Sequence, residues 1–192
     1  MSLSIRLAQR EQIMAALWPT DSDTASKSSV WAILDCARDP KIYLALLASR
    51  LEFRCLYSGK LPRELEMVAP QLVELHPGNR LTAQLLDEGW GNAWGVYLRT
   101  ADPSNLRHHL RKFLKVQDED GRRLLFRYYD PRVLRVYLPT CTAAELTQLF
   151  GPVRSYFSES EGARFLHQFG LAPAGQLIER RWAEMTVDDA GD

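Results

Sequence analysis

Hydrophobic and polar positions divide the chain into short apolar runs separated by helical patterns. The run 30–34 is continuously apolar, which is typical of a strand inside a sheet covered on both faces. Similar runs predict further strands at 52–57, 71–75, 93–99, 124–129 and 153–157. Helical spacing of apolar residues predicts helices at 9–18, 40–49, 64–68, 104–115 and 131–138. Strands that alternate with helices predict an α/β fold with at least partly parallel pairing.

An Asp-Pro pair follows three of the predicted strands, at Asp39-Pro40, Asp102-Pro103 and Asp130-Pro131. The Asp side chain can cap the first free amides of a helix, and Pro suits the first helical position. Each pair therefore predicts a helix start. An Asp-Gly turn between 115–117 and 123–125 predicts one antiparallel hairpin, so the sheet should be mixed.

Beyond Pro139 the pattern predicts mainly helices. Thr142 and Glu145 have the spacing of a capping box, 162–169 and 176–185 resemble helices, and 188–192 is an acidic tail. The predicted fold class is α/β, with a mixed, partly parallel sheet flanked by helices and a helical C-terminal part. We expect three regions: an N-terminal helix and polar linker at 1–29, an α/β core at 30–158, and C-terminal helices with the tail at 159–192.

Composition excludes several classes of protein. The 192 residues carry 24 Lys and Arg against 24 Asp and Glu, so no net charge draws the chain to nucleic acid or to an anionic membrane. No apolar run approaches the roughly 20 residues that span a bilayer, and the first residues do not resemble a secretory signal. Three widely spaced cysteines indicate reduced thiols. We therefore expect a cytoplasmic protein without nucleic-acid or membrane partners.

Motifs of catalysis are mostly missing. The glycines of 89–95 precede a strand, whereas a dinucleotide loop follows one, so we expect a turn there and no bound cofactor. His108 and His109 are adjacent and point about 100° apart on a helix, which favours a structural role over metal binding. Asp35 and Asp39 near the end of the first strand, or a Cys-His pair, leave a small hydrolase as the alternative.

Charge is segregated along the chain. Between Arg99 and Arg135 there are ten Lys or Arg residues and five acids. The predicted helix concentrates them in a basic ridge, which consists of Arg107, His108, Arg111, Lys112 and Lys115. Such a ridge can be a solvated helix face, a surface for an acidic protein partner or, less in keeping with the nearby aromatic residues, a nucleic-acid surface.

An ordered set of motifs resembles the bacterial type VI secretion effector-adaptor family, also called Tap or TEC chaperones and first catalogued as a domain of unknown function. The resemblance covers roughly Trp31 to Phe157. Its motifs are Ile33-Leu34-Asp35-x-Ala37-Arg38-Asp39-Pro40, Cys55-Leu56-Tyr57-x-Gly59-x-Leu61-Pro62-x-Glu64-Leu65, Ala69-Pro70-x-Leu72-Val73, Gly89-Trp90-Gly91-x-x-Trp94-Gly95-Val96-Tyr97-Leu98-Arg99, the block Leu106 to Leu114, Asp120-Gly121-Arg122 through Asp130-Pro131-Arg132-Val133-Leu134, Leu138-Pro139-Thr140 and Phe150-Gly151-Pro152.

The resemblance implies a non-catalytic adaptor that binds a toxic effector and helps load it on the VgrG spike. Because many members have a longer C-terminal extension, the helix expected around Leu177, Ile178, Trp182 and Met185 is the remaining candidate for contacts of that kind. Binding energy at protein interfaces concentrates in Trp, Tyr and Arg. The candidate binding residues are therefore Trp90, Arg107, Arg111, Lys112, Arg127, Tyr129 and Arg132. The alternative for Trp90 and Trp94 is a place in the core.

Overall fold

The computed structural model of the chain describes residues 3–20, 28–117 and 120–182. The helices of this part are α1 (Leu3–Leu17), α2 (Pro40–Ser49), α3 (Arg63–Val68), α4 (Arg80–Gln84), α5 (Leu106–Arg111), α6 (Pro131–Tyr137) and α7 (Ala143–Phe150). A π-helical turn (Leu85–Gly89) extends α4, and two 3-10 turns lie at Leu138–Thr140 and Glu161–Ala163. The strands are β1 (Ser29–Asp35), β2 (Phe53–Cys55), β3 (Pro70–Leu75), β4 (Gly95–Thr100), β5 (Lys115–Gln117), β6 (Arg123–Leu125), β7 (Val153–Glu159), β8 (Leu166–Leu171) and β9 (Leu177–Trp182).

Seven strands form one sheet in the order β2-β3-β1-β4-β7-β8-β9, and β5 pairs with β6 in a separate hairpin. All strand pairs described are antiparallel, so the prediction of a partly parallel sheet is wrong. The crossovers explain the error. Helix α2 connects β1 to β2 and helix α4 connects β3 to β4, but β3 lies between the first two strands and β1 between the second two. Each crossover therefore joins strands of the same direction that do not pair.

The sheet has a hydrophobic core on each face. Val30, Ala32 and Leu34 of β1 point to the side covered by α1, α2 and α4, while Ile33 points to the side covered by α5, α6 and α7. This alternation follows from the two-residue period of a strand, and burial on both faces explains why 30–34 is continuously apolar. Helix α1 belongs to the same core as β1, because its Leu17 is fully buried there.

The prediction of a helical C-terminal part is also wrong. The predicted helices at 162–169 and 176–185 overlap β8 and β9, which extend the sheet beyond β7 as an antiparallel pair. A tight turn connects them, and Gly175 has the positive φ of +78° that this turn requires. The helix expected around Leu177, Ile178 and Trp182 is thus the edge strand. Met185, the tail at 188–192 and most of the predicted linker at 20–29 lie outside the described residues.

Local capping signals are confirmed at three helices. The Asp39 side chain accepts from the Lys41 amide at 2.8 Å, and that of Asp130 accepts from the Arg132 amide at 2.9 Å. Thr142 and Glu145 form the expected capping box of α7. The third Asp-Pro pair behaves differently, because Asp102 accepts from the Ser104 amide in a turn and α5 begins only at Leu106. The predicted hairpin of 115–117 and 123–125 is confirmed.

Candidate functional site: a basic-rimmed apolar groove

An open groove of about 640 Å³ lies between α5, the loop that follows β2, and the hairpin β5–β6. We call it the groove. Its lining residues are Leu56, Tyr57, Ser58, Leu61, His108, Arg111, Lys112, Leu114, Lys115 and Leu125. Most of its surface is apolar, and the basic side chains lie along one side of it, in residues 108–115. The size lies within the range of natural ligand-binding clefts.

Helix α5 forms the basic wall because its other residues anchor it to the core. Leu106 and Leu110 are buried four residues apart, and the Tyr128 hydroxyl donates to the Leu110 carbonyl at 2.9 Å. Arg107 Nε donates to the Cys55 carbonyl at 2.9 Å, which ties the helix to the end of edge strand β2. This bond holds the loop 56–61 opposite α5. Arg107, a predicted binding residue, is therefore half-buried and positions the two walls of the groove.

The ionisable side chains of Lys, Arg and His type are concentrated on one side of the groove, which we call its basic rim. His108, Arg111, Lys112 and Lys115 line it, and no Asp or Glu is among the lining residues. Within the described part of the chain, the side chains of Arg111, Lys112 and Lys115 make no hydrogen bond or ion pair. Lys112 and Lys115 are exposed. The arrangement leaves a concentration of positive charge available for an anionic group beside an apolar surface.

The hairpin β5–β6 supplies the third wall. Lys115 pairs with Leu125, Val116 with Leu124, and Gln117 with Arg123. Directly opposed residues of an antiparallel pair share one face of the ribbon. Since Lys115 and Leu125 both line the groove, the next pair, Val116 and Leu124, lies on the opposite face. Leu124 and Leu125 are 49% and 50% exposed, so two neighbouring leucines of equal exposure project to different sides.

Arg127 does not reach the groove. Its guanidinium Nη2 forms an ion pair with Oδ2 of Asp35 at the end of β1. The Asp35 side chain is 1% exposed, whereas that of Arg127 is 42% exposed. The pair compensates a buried carboxylate and connects the segment after β6 to the centre of the sheet. Asp35 is thus held by an arginine, and Asp39 by its capping bond to Lys41.

Tyr129 and Arg132 are also engaged within the fold. Tyr129 is 1% exposed, and burial together with a hydrogen bond to Tyr57 raises the pKa of its hydroxyl. Arg132 is exposed, but its guanidinium donates from Nε to Asp130 Oδ1 at 2.9 Å. Burial alone would raise the pKa of Asp130, yet the hydrogen bonds from Arg132 lower it below 3.8. The buried ring of Tyr129 offers no surface to a partner.

Trp90 lies on the other side of the sheet from the groove. Its ring stacks on Tyr97 with centroids 6.5 Å apart, and its Nε1 donates to the Ala163 carbonyl at 3.1 Å. Trp94 is buried in the same core cluster. Of the seven predicted binding residues, the structure brings only Arg111 and Lys112 into the groove, while Arg107 supports it from behind.

The glycine-containing turn at 89–95 holds a carboxylate of the chain itself. The amides of Gly91 and Ala93 donate to Glu159 at 2.6 and 3.0 Å. Both residues have positive φ, +86° and +54°, which turns their amides toward one anion. Burial raises the pKa of Glu159 although these hydrogen bonds oppose the shift. The turn therefore has a structural role, because its hydrogen bonds to Glu159 connect the start of β4 to the end of β7.

His109 and the three cysteines have contacts or burial that fit structural positions. His109 Nε2 is 2.9 Å from the Leu149 carbonyl, and its ring packs edge-on against Phe113. Burial raises the pKa of the Cys36 thiol to about 12, and burial also raises those of Cys55 and Cys141. No group of three or more His, Cys, Asp or Glu residues in the described ranges is placed to hold a metal ion. No helix of those ranges has the length and apolar character needed to cross a membrane.

The far wall of the groove is what sequence reasoning missed. The basic ridge is visible in the helical spacing of 107–115, but Leu56, Tyr57 and Leu61 lie some 50 residues earlier. Their motif, Cys55-Leu56-Tyr57-x-Gly59-x-Leu61-Pro62, is one of those that carry the family resemblance. That motif was the one sequence feature that could have pointed to this wall, although no spacing rule predicts that it lies opposite α5.

Comparison with known sequences assigns the chain to a family. The sequence model of DUF4123, described as a domain of unknown function, matches residues 30–148. The match covers more than half of the chain, which therefore belongs to the DUF4123 family. It runs from β1 into α7 and includes all walls of the groove. Searches of curated proteins and of solved structures gave no match.

Proposed function

We propose that this protein is a non-catalytic cytoplasmic adaptor that binds a type VI secretion effector and helps load it on the VgrG spike. The groove is the observation that carries the proposal. An open apolar surface with a basic rim is suited to binding a protein segment, because apolar contact supplies affinity while charge selects the partner. Two of the motifs that resemble the adaptor family, 55–65 and 106–114, form its opposing walls.

Several contacts disfavour the alternative of a small hydrolase. A general base must be free to take a proton, but Asp35 is ion-paired with Arg127 and Asp39 caps α2. A cysteine nucleophile acts as the thiolate, and the pKa values of Cys36, Cys55 and Cys141 are all raised. These contacts and pKa directions support the adaptor proposal over the hydrolase alternative.

The proposal is tested in the bacterium that encodes the protein. The gene is deleted in a strain with an active type VI system, and the secreted proteins are compared with those of the parent strain by mass spectrometry. We expect one toxin to disappear from the secreted fraction while the tube and other spike proteins of the system continue to be secreted. An unchanged set of secreted toxins would refute the adaptor function.

A further inference from the structure

The groove combines two features that together define the chemistry of its occupant. Its floor is apolar: Leu56 and Leu114 are buried beneath it, whereas Tyr57 and Leu61 are partly exposed and Leu125 is half exposed. Its rim carries Arg111, Lys112 and Lys115, which have no anionic partner in the described part of the chain. A partner that covers the floor must therefore be apolar on the contact side and acidic along its flanks.

The hairpin indicates how such a partner lies. Lys115 and Leu125 line the groove with side chains from one face of the ribbon, so an occupant contacts that face and not an edge. An added strand would pair along the edge of a hairpin, in its plane. A helix packs against the face, as in other groove complexes that bind an amphipathic helix.

A second observation concerns the hairpin's own stability. All six residues of β5 and β6 are exposed, and a two-stranded ribbon of this kind is marginally stable in water. Leu125 nevertheless remains half exposed at the groove. A helix in the groove would cover this side chain and give the ribbon a packing partner.

We propose that the groove binds an acidic amphipathic helix of the partner protein, with its apolar face on Tyr57, Leu61 and Leu125 and its carboxylates on Arg111, Lys112 and Lys115. The inference rests on the proposed adaptor function, and it names the chemistry of the segment that the adaptor recognises.

The test uses the full chain and three labelled model peptides of roughly 15 residues. The first carries Leu on one helical face and Glu on the others, the second has Lys in place of Glu, and the third has Ser in place of Leu. Binding is measured by fluorescence anisotropy. We expect only the Leu/Glu peptide to bind, with an affinity that falls as salt is added. Equal binding of the Leu/Lys peptide, or no binding of the Leu/Glu peptide, would overturn the proposal.

Matched variants locate the binding site. The double variant Arg111→Glu/Lys112→Glu should bind the Leu/Glu peptide with an affinity lower by about 10-fold or more, since two attractive charges become repulsive. Lys41→Glu with Arg80→Glu makes the same charge change in exposed first turns of α2 and α4, on the other side of the sheet, and should leave the affinity unchanged. Equal losses in both variants would mean that only net charge matters.

The two leucines of the hairpin test the apolar contact. Leu125→Ser should lower the affinity for the Leu/Glu peptide. Leu124→Ser should not, because Leu124 is equally exposed but lies on the opposite face of the hairpin. Thermal unfolding checks that both variants remain folded. Equal effects of the two substitutions on peptide affinity would show that the peptide does not bind in the groove. If the peptides bind as expected but deletion of the gene leaves toxin secretion unchanged, the binding chemistry of the groove stands and the adaptor function is refuted. If deletion stops secretion of a toxin but the peptides do not bind as expected, only the proposal for the groove is refuted.

Discussion

Arg127 forms an ion pair with Asp35, 92 residues away along the chain, and so compensates a carboxylate that is almost completely buried. Asp35 was a candidate catalytic base and Arg127 a candidate binding residue. Their pairing gives both a structural role and joins the segment after β6 to β1.

Removal of Arg127 should destabilise the fold more than removal of the pair. Arg127→Met leaves the Asp35 carboxylate buried without compensation and should cost about 2 kcal/mol, below the value for a fully buried pair because Arg127 is partly exposed. The double variant Arg127→Met with Asp35→Asn should recover part of this loss. Urea unfolding of both single variants and the double variant measures the coupling. If the losses in unfolding free energy of the two single variants add up to that of the double variant, the ion pair contributes nothing to stability.

Glu159 should make the fold less stable as the pH rises from acid toward neutral. Burial raises its pKa in the folded state above 4.5, so the folded protein holds this proton more tightly than the unfolded chain. Stability from this group is then complete below pH 4.5 and is lost as the pH rises through the folded pKa. Glu159→Gln has no such titration.

The measurement is the difference in unfolding free energy between Glu159→Gln and the wild type, taken across the acid range. The difference should move in favour of the variant as the pH rises. A difference that does not change with pH, or that moves in favour of the wild type, would contradict the raised pKa.

The three thiols should react slowly in the folded protein. Cys36 is buried with its pKa raised to about 12, and the pKa values of Cys55 and Cys141 are also raised, so little thiolate exists near neutral pH. Reaction with a chromogenic disulfide reagent should be slow for all three and fast after denaturation. One thiol that reacts faster in the folded state than in the denatured state would revive the hydrolase alternative.

Gly151 should be intolerant of a side chain. It ends α7 with φ of +45°, and a Cβ there would lie 2.4 Å from Cε1 of His109. Gly151→Ala should therefore destabilise the fold by about 2 kcal/mol through backbone strain and displacement of the ring. Gly78→Ala is the matched control, because a Cβ at Gly78 meets nothing within 4 Å. Similar melting temperatures of the two variants would contradict this packing.

Local chemistry predicted much of the fold. Asp39, Asp130 and the Thr142–Glu145 pair cap helices as expected, because a cap depends on residues two or three positions apart. Strand pairing depends on the whole sheet. Alternating strands and helices correctly indicate crossovers, but nothing near 30–34 reveals that β3 enters between β1 and β2. At 166–182, β8 pairs with β7 and β9 pairs with β8, and these pairings determine strand structure in segments whose spacing also resembles a helix.

Only the basic side of the groove was predictable from the sequence. Helical spacing over 104–115 predicted one basic ridge, and His108, Arg111, Lys112 and Lys115 do line the same groove. The helix itself is shorter than predicted, because α5 ends at Arg111 and Lys115 begins strand β5. Spacing could not show that Arg127 and Arg132 are engaged by Asp35 and Asp130, since an ion pair is decided by three-dimensional proximity. The same limit applies to Trp90, whose stacking on Tyr97 is decided on the other face of the sheet.

Complementation of the deletion strain tests most directly whether the protein uses the groove to load a toxin for secretion. The strain receives wild-type protein, the groove variant Arg111→Glu/Lys112→Glu, or the control variant Lys41→Glu/Arg80→Glu at matched cellular levels. Secreted toxin is then quantified by mass spectrometry. Wild type and control should restore secretion, and the groove variant should not. Full restoration by the groove variant would contradict the account.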